Sequence, residues 1–318
     1  MNEVLAGGGV ALLAGSRDPN AKVTAVVMGK GGGPTPERVI KIATTGHAAT
    51  VVRAEGRLLA ELAGRLPPAV AATLPEVLGY GDVDGLPALI TSGMPGTPML
   101  ADYHLWRHVA RRRHVAADFA AAGAWLAALQ AAPTGPAKPV TLLADTLDLI
   151  AERHPGRPLA RLAPAAADLA AVRLPRTVSH GDYWLGNILL DRGRVTGVVD
   201  WEAGELVGEP LRDVARFVLS YALYLHRHTP RGRQVAGHAG LRARGFGPGI
   251  VHVLQGSGWF PALARDFVSA ALARLGAPRT LWRAVLLAGL ADVVVTADDP
   301  RFARDHLDLL DRLRAERP

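Results

Sequence analysis

The sequence contains no cysteine in its 318 residues, which excludes disulfide bonds and metal sites built on thiolates. It also lacks an apolar stretch long enough to span a bilayer, because Asp292 interrupts the longest one, near residues 284–297. Residues 1–4 show no basic region followed by a long apolar one, the pattern of a signal peptide. We therefore expect a soluble, cytoplasmic protein with no membrane partner.

The first 96 residues lack any excess of positive charge, since they hold 8 Lys/Arg and 8 Asp/Glu, although the whole chain has a net charge of +7. The one dense basic run, residues 107–114, falls in a helical pattern. A nucleic-acid surface would interleave basic residues with aromatic residues or glycine. The run therefore favours a solvated helix face, and we expect no nucleic-acid partner.

Hydrophobic patterning divides the chain into a β-rich beginning and a helical remainder, and its length allows two lobes. Apolar runs separated by turn residues predict strands at 10–13, 23–28, 39–42, 76–78 and 88–91, with one helix over 48–65. Past residues 92–96, which are typical of a hinge, helices are predicted at 105–131, 141–153, 163–172, 211–225, 260–275, 278–297 and 300–314. Residues 229–257 show no clear period and are predicted to form a long loop.

The most informative motif begins with His180-Gly181-Asp182 and places Asn187 five residues after Asp182. Strand-like residues 188–190 and 195–199 follow, and the second run ends at Asp200-Trp201-Glu202. Phosphoryl transfer from a magnesium-bound nucleotide needs a carboxylate that orients the attacking hydroxyl and oxygen ligands for the metal. These residue types at these spacings indicate that chemistry.

This motif resembles the aminoglycoside phosphotransferase and choline kinase family, which has a protein-kinase-like fold. In that family the catalytic loop has the pattern H-G-D-x-x-x-x-N, and the metal-binding strand has the pattern apolar-apolar-Asp-Trp/Phe-Glu. The resemblance implies a bilobal α+β fold, with a small antiparallel β lobe over 1–95 and a larger, mainly helical lobe over 96–318 that holds the catalytic loop and the acceptor site. It also implies an enzyme that uses Mg²⁺ and ATP or GTP to phosphorylate a hydroxyl of a small molecule.

The resemblance assigns roles to the residues of the motif. Asp182 is the expected base, and Asn187 and Asp200 are the expected magnesium ligands. His180 is expected to pack under the metal strand, Glu202 to be a second metal contact or a brace, and Asp213 to brace the catalytic loop. The aromatic candidates for the acceptor site are Tyr183 and Trp184.

The nucleotide site is expected to include a lysine in the otherwise apolar strand pattern of residues 38–43. Lys41 would hold the phosphates and be paired with Glu55, with Glu61 as the second choice of partner. No G-x-G-x-x-G occurs. The resemblance implies that the loop over residues 15–20, including Ser16, is the phosphate loop, because it matches the family's looser Gly…Asn loop, although an ordinary hairpin turn remains open. The hinge implies Thr91 behind the base and backbone contacts from Ser92 and Met94.

Several alternatives stay open at this stage. The acceptor could be an antibiotic, sugar, nucleoside or other natural product, and basic residues in 227–244 favour a neutral or anionic one over a polycation. A catalytically silent kinase-like binding module is a second function, and a basic nucleic-acid-binding protein is a third. The histidines at 104, 108, 114, 226 and 228 lack carboxylates at ligand spacing, so a histidine metal site is disfavoured. Either a monomer or a homodimer is compatible with the sequence.

Overall fold

The computed structural model describes residues 8–14, 19–31, 33, 35–104, 111–227 and 246–313. Ser16, the predicted helix start at 105–110 and the predicted loop at 229–245 lie outside these ranges. The chain forms two compact units. The first takes the residues up to Met99 together with His180–Asp182 and Gly186–Leu206, and the second takes the rest.

The first unit is built on a five-stranded antiparallel sheet in the order β1-β2-β3-β5-β4. Its strands are β1 Gly9–Ala14, β2 Lys22–Met28, β3 Pro36–Ala43, β4 Val77–Val83 and β5 Leu86–Ser92. Side chains alternate between the two faces along each strand. On β3, Ile40 and Ile42 enter one buried cluster, whereas Ala43 enters a second cluster with helix α1 (Gly46–Ala63). Lys41 therefore leaves the sheet on the face that α1 covers.

Helix α1 begins where Thr45 accepts a hydrogen bond from the backbone N–H of Ala48 at 3.1 Å, the usual way to satisfy a free N–H at a helix start. Val52 and Leu59 are buried on its sheet-facing side. The face that carries Glu55 is thereby fixed against the sheet. A short helix, α2 Pro68–Ala71, follows before β4.

The segment that was predicted to belong to the second lobe, residues 186–206, packs with the first unit instead. Its strands β9 (Ile188–Asp191) and β10 (Arg194–Val198) form a three-stranded antiparallel sheet with β6 (Thr97–Pro98), in the order β10-β9-β6. The backbone N–H of Val198 also donates to the carbonyl of Thr73 at 2.8 Å. These backbone hydrogen bonds tie the hairpin to the N-terminal part of the chain, so the sequence boundary at 95/96 does not separate the two units.

The second unit is mainly helical. Its helices are α3 Arg112–Leu129, α4 Leu142–Arg153, α5 Ala163–Ala170, α6 Pro210–Arg227, α7 Pro248–Gln255, α8 Trp259–Arg274, α9 Trp282–Thr296 and α10 Pro300–Arg312. Helix α9 is the centre of this unit and packs against α4, α6 and α10. Burial on all sides explains why its sequence is apolar all round.

A small sheet in the order β11-β8-β7 completes the elements, with β7 Gly135–Pro139, β8 Arg173–Ser179 and β11 Glu205–Gly208. None of these three strands was predicted, and α7 lies inside the predicted loop 229–257. The α+β prediction, an antiparallel β lobe and a larger helical part, is confirmed. In the described ranges, no helix combines the length and the apolar character needed to cross a membrane.

Candidate active site

The centre of the site is a cluster of one lysine and two carboxylates within the first unit. The Lys41 ammonium donates to the two carboxylate oxygens of Glu55 at 2.6 and 2.7 Å and to Oδ1 of Asp200 at 2.6 Å. Glu55 is only 3% exposed, and its Oε1 also accepts the backbone N–H of Trp201 at 3.0 Å. Strand β3, helix α1 and the segment after the β9–β10 hairpin are thus joined at one ammonium group. Glu61, the second choice of partner, instead pairs with Arg65 on the surface of α1.

The charges of this cluster stabilise one another. Burial by itself disfavours the charged form of Lys41, but the nearby charges of Asp200 and Glu55 outweigh it and raise the pKa of Lys41 above its ordinary 10.5. Burial likewise disfavours the Asp200 carboxylate, yet Lys41 at close range lowers the pKa of Asp200 below its ordinary 3.8. Both groups are therefore charged over the whole physiological pH range.

The catalytic-loop motif is organised around His180, which is fully buried. Its Nδ1 accepts the backbone N–H of Asp182 at 3.2 Å, so the proton is on Nε2, which donates to the carbonyl of Val199 at 3.0 Å. The ring also packs against Trp201, with ring centres 4.6 Å apart. His180 therefore connects the backbone of Asp182 to the segment after β10 that carries Asp200, which fits the supporting role predicted for it.

Two backbone conformations in the motif are unusual. Gly181 has φ = +81°, and a Cβ at this position would collide with the carbonyl of Ala203. Asp200 has φ = +69°, a region that few non-glycine residues adopt. Such strain is common at functional sites, where the surrounding structure holds it in place. Here the Lys41 ion pair and the Trp201–Glu55 hydrogen bond hold the Asp200 segment.

The oxygen atoms at this site fit a magnesium ion. The amide nitrogen of Asn187 donates to the carbonyl oxygen of Asp182 at 3.0 Å and to its Oδ2 at 3.3 Å, which leaves Oδ1 of Asn187 as a potential ligand. The second oxygen of Asp200 has no hydrogen-bond partner in the described part of the chain. Carboxylate oxygens of Glu55, Asp200 and Glu202 all lie within 4.8 Å of one another. Since the Glu55 oxygens are already engaged by Lys41 and Trp201, Glu55 is a poor candidate, and the assignment of Asp200 and Asn187 as magnesium ligands stays a prediction.

Sequence reasoning missed Lys22, and it named Asn20 only as the end of the expected phosphate loop. Lys22 forms an ion pair with Glu202 and is only 9% exposed, and the side-chain nitrogen of Asn20 donates to Oε1 of Glu202 at 3.3 Å. A signal was present, because Lys22 opens an apolar strand just as Lys41 interrupts one. Glu202 is thus held by the start of β2.

The residues predicted to contact the base lie at the end of β5 and just after it. Thr91 is buried, and the N–H of Ser92 already donates to the carbonyl of Glu76 at 2.8 Å, so that donor is not available to a base. Within the described ranges, the backbone N–H and carbonyl of Met94 have no hydrogen-bond partner. The expected backbone contact can therefore come from Met94, while for Ser92 it is limited to the carbonyl.

Three other predicted site residues lie in the second unit. Tyr183 is fully buried, stacks on Trp125 with ring centres 5.2 Å apart and donates to the carbonyl of Ala122 at 3.1 Å. Because it has no exposed surface, its assignment to the acceptor site was wrong and it is a core residue. Trp184 is partly exposed and stays a candidate. Asp213 is fully buried in the first turn of α6. The pKa of Tyr183 is raised well above its ordinary value, mainly because the Tyr183 hydroxyl is buried and also because the Asp213 charge is near.

Solved structures with a similar fold include three phosphotransferases. A thermostable mutant of aminoglycoside phosphotransferase APH(4)-Ia shares 16% identity at a TM-score of 0.54, covering 96% of this chain and 95% of that one. Macrolide 2'-phosphotransferase MphH from Brachybacterium faecium shares 17% at 0.54, with 98% and 95% covered. The streptomycin–ATP complex of APH(2")-IIa shares 14% at 0.55, with 99% and 94% covered. At these identities the similarity shows the fold.

No curated relative matches the chain by sequence. The sequence profile of the phosphotransferase enzyme family, APH, matches residues 20–249, which is more than two thirds of the chain. The match spans Lys41, Glu55 and the whole motif from His180 to Glu202. The chain therefore belongs to the phosphotransferase enzyme family.

Proposed function

We propose that this phosphotransferase transfers a phosphoryl group from ATP or GTP, with Mg²⁺, to a hydroxyl of a small molecule. The observation that carries the proposal is the Lys41 ammonium shared between Glu55 and Asp200 at 2.6–2.7 Å. A buried cation beside a carboxylate supports the proposal, because a triphosphate with its metal requires both kinds of group.

Each residue has one task in this proposal. Lys41 contacts the nucleotide phosphates, and Glu55 keeps its ammonium on the α1 side of the sheet. Asn187 and Asp200 hold Mg²⁺, which when bound neutralises charge on the transferring phosphate. Asp182 orients the acceptor hydroxyl and receives its proton late, since the transition state of phosphoryl transfer is loose.

The donor is proposed from the hinge and from a similar structure. The backbone N–H and carbonyl of Met94, for which the described residues offer no hydrogen-bond partner, suit the edge of a purine base. The APH(2")-IIa structure contains ATP, which supports ATP as the first donor to test, with GTP beside it. Ser16 would complete the phosphate loop.

The acceptor is proposed only as a class. The similar enzymes are named for aminoglycosides and a macrolide, so an antibiotic is a reasonable first acceptor, and its phosphorylation would make the chain a resistance enzyme. The basic residues in 227–244 favour a neutral or anionic compound such as a macrolide-like natural product, a sugar or a nucleoside. We further propose a cytoplasmic monomer or homodimer that does not bind nucleic acid.

The test is transfer of labelled phosphate from ATP and from GTP to a panel of antibiotics, sugars and nucleosides. Asp182→Asn should lower transfer by about a hundredfold or more while nucleotide binding persists. Asp200→Ala should abolish magnesium-dependent nucleotide binding. The exposed Asp191, on the same hairpin, supplies the matched control Asp191→Asn, which should behave like the wild type. Full activity of Asp182→Asn, or magnesium-dependent binding by Asp200→Ala, would refute the assigned roles.

A further inference from the structure

A second lysine leaves the sheet beside Lys41. In the β2–β3 pair, Lys22 is opposite Ala43 and Thr24 is opposite Lys41. Directly opposite residues, and residues two apart on one strand, point to the same face of a sheet. The side chains of Lys22 and Lys41 therefore leave the same face as diagonal neighbours, toward the segment that carries Asp200 and Glu202.

The neighbours of Lys22 hold its side chain in a defined, buried position. Its side chain is 9% exposed and pairs with Glu202, whose other oxygen accepts from Asn20. Asn20 is itself 7% exposed, and its Oδ1 has no hydrogen-bond partner among the residues that the structure describes. Because a phosphate accepts hydrogen bonds and does not donate them, this oxygen is not a phosphate contact, and the part that Asn20 plays is to hold Glu202 through its amide N–H.

Stability alone explains this arrangement poorly. A buried ion pair generally stabilises a fold no better than apolar residues of similar volume, because both charges lose their hydration. Lys22 and Glu202 are nonetheless held next to the Lys41 cluster, where three carboxylates face two ammonium groups. A ligand that carries several negative charges would account for the presence of the Lys22 ammonium.

We propose that Lys22 is a second phosphate-contacting cation of this site, and that Glu202 and Asn20 position its ammonium. The inference rests on the proposed function, since it assumes that the site binds a nucleotide. An ammonium has three N–H donors, so Lys22 can keep its bond to Glu202 and still donate to a phosphate oxygen. Lys41 is already shared by two carboxylates, so the ammonium of Lys22 would add a charged donor for a phosphate oxygen.

The test separates phosphate contacts from base contacts. The nucleoside and its mono-, di- and triphosphate, with whichever base the wild type binds, are titrated by calorimetry with and without Mg²⁺. Lys22→Met should weaken the di- and triphosphate by about tenfold or more and leave the nucleoside unchanged, because a charged hydrogen bond is lost. Lys30→Met, at an exposed lysine beyond the other end of β2, is the matched control and should match the wild type.

A second variant controls for misfolding, because Lys22→Met leaves the Glu202 carboxylate buried without its cation. The double variant Lys22→Met/Glu202→Gln removes both charges and should show the same selective loss. Equal affinity of Lys22→Met and wild type for the diphosphate would overturn the inference, as would an equal loss for nucleoside and diphosphate, which would indicate a purely structural role. Either result would leave the proposed function intact if the wild type binds nucleotide, whereas a wild type that binds none would overturn both.

Discussion

Replacing Glu55 with glutamine tests the centre of the site most directly. Glu55 is 3% exposed and Lys41 13%, so solvent does little to screen their interaction. Removing one partner of a buried pair costs about 3–5 kcal/mol when the other charge is left uncompensated. In this case Asp200 remains 2.6 Å from the ammonium, and the amide oxygen of glutamine can still accept one bond. We therefore expect Glu55→Gln to lower the free energy of unfolding by about 2 kcal/mol.

The assay is urea unfolding at neutral pH, followed by circular dichroism and extrapolated to zero denaturant. A double-mutant cycle with Lys41→Met should give a coupling energy of about 1.5 kcal/mol or more between the two positions. Glu61→Gln, on the exposed side of the same helix, is the matched control and should change stability by less than about 0.5 kcal/mol. A loss for Glu55→Gln no larger than that of this control, or a coupling near zero, would refute the reasoning.

Two further predictions follow from the geometry of the motif. Gly181→Ala should destabilise the protein by about 2 kcal/mol or more, because the left-handed φ is strained for alanine and its Cβ meets the carbonyl of Ala203. In acid, the lowered pKa of Asp200 means that its ion pair with Lys41 contributes stability above pH 3.8 and loses it as pH falls through the folded value. In alkali, the pKa of Lys41 is raised, so the same ion pair contributes its full stability below pH 10.5 and loses it as pH rises through the folded pKa.

Urea unfolding checks both predictions. For Gly181→Ala the control is Gly193→Ala, at a positive φ with open space around its Cβ, which isolates the backbone strain from the collision. Equal losses for the two glycine variants would contradict the role of Ala203. For the pH profile, Asp200→Asn should remove the acid-dependent step, and an unchanged profile would show that other carboxylates cause it.

The sequence predicted Lys41 because it is a charged residue in an apolar strand pattern, and Glu55 because it stands in the following helix where the resembling family keeps its glutamate. It did not predict that Asp200 would share the same ammonium, since the two residues are 159 positions apart and no local pattern reports such a contact. Lys22 was missed for a related reason. Its importance depends on Glu202, which only the folded hairpin brings near.

The missed strands and helix have local causes. β7 contains two prolines and a glycine, which predict a loop, but it lies at the edge of its sheet, where proline is tolerated. α7 has only eight residues, too few for a helical period to emerge, and its start is marked by Gly247 at φ = +83° followed by Pro248. The longer helices were predicted because their patterns extend over several turns without turn residues.

The division of the chain between its two units limits how this enzyme can be cut or recombined. The backbone passes between the units five times, at residues 99/100, 179/180, 182/183, 185/186 and 206/207. A fragment that ends at Met99 would contain Lys41 and Glu55 but neither Asp200 nor the N–H of Trp201 that Glu55 binds. It would also leave β6 without β9. A chimera between relatives should therefore keep residues 186–206 with the N-terminal part, and replace the segments on either side of them separately.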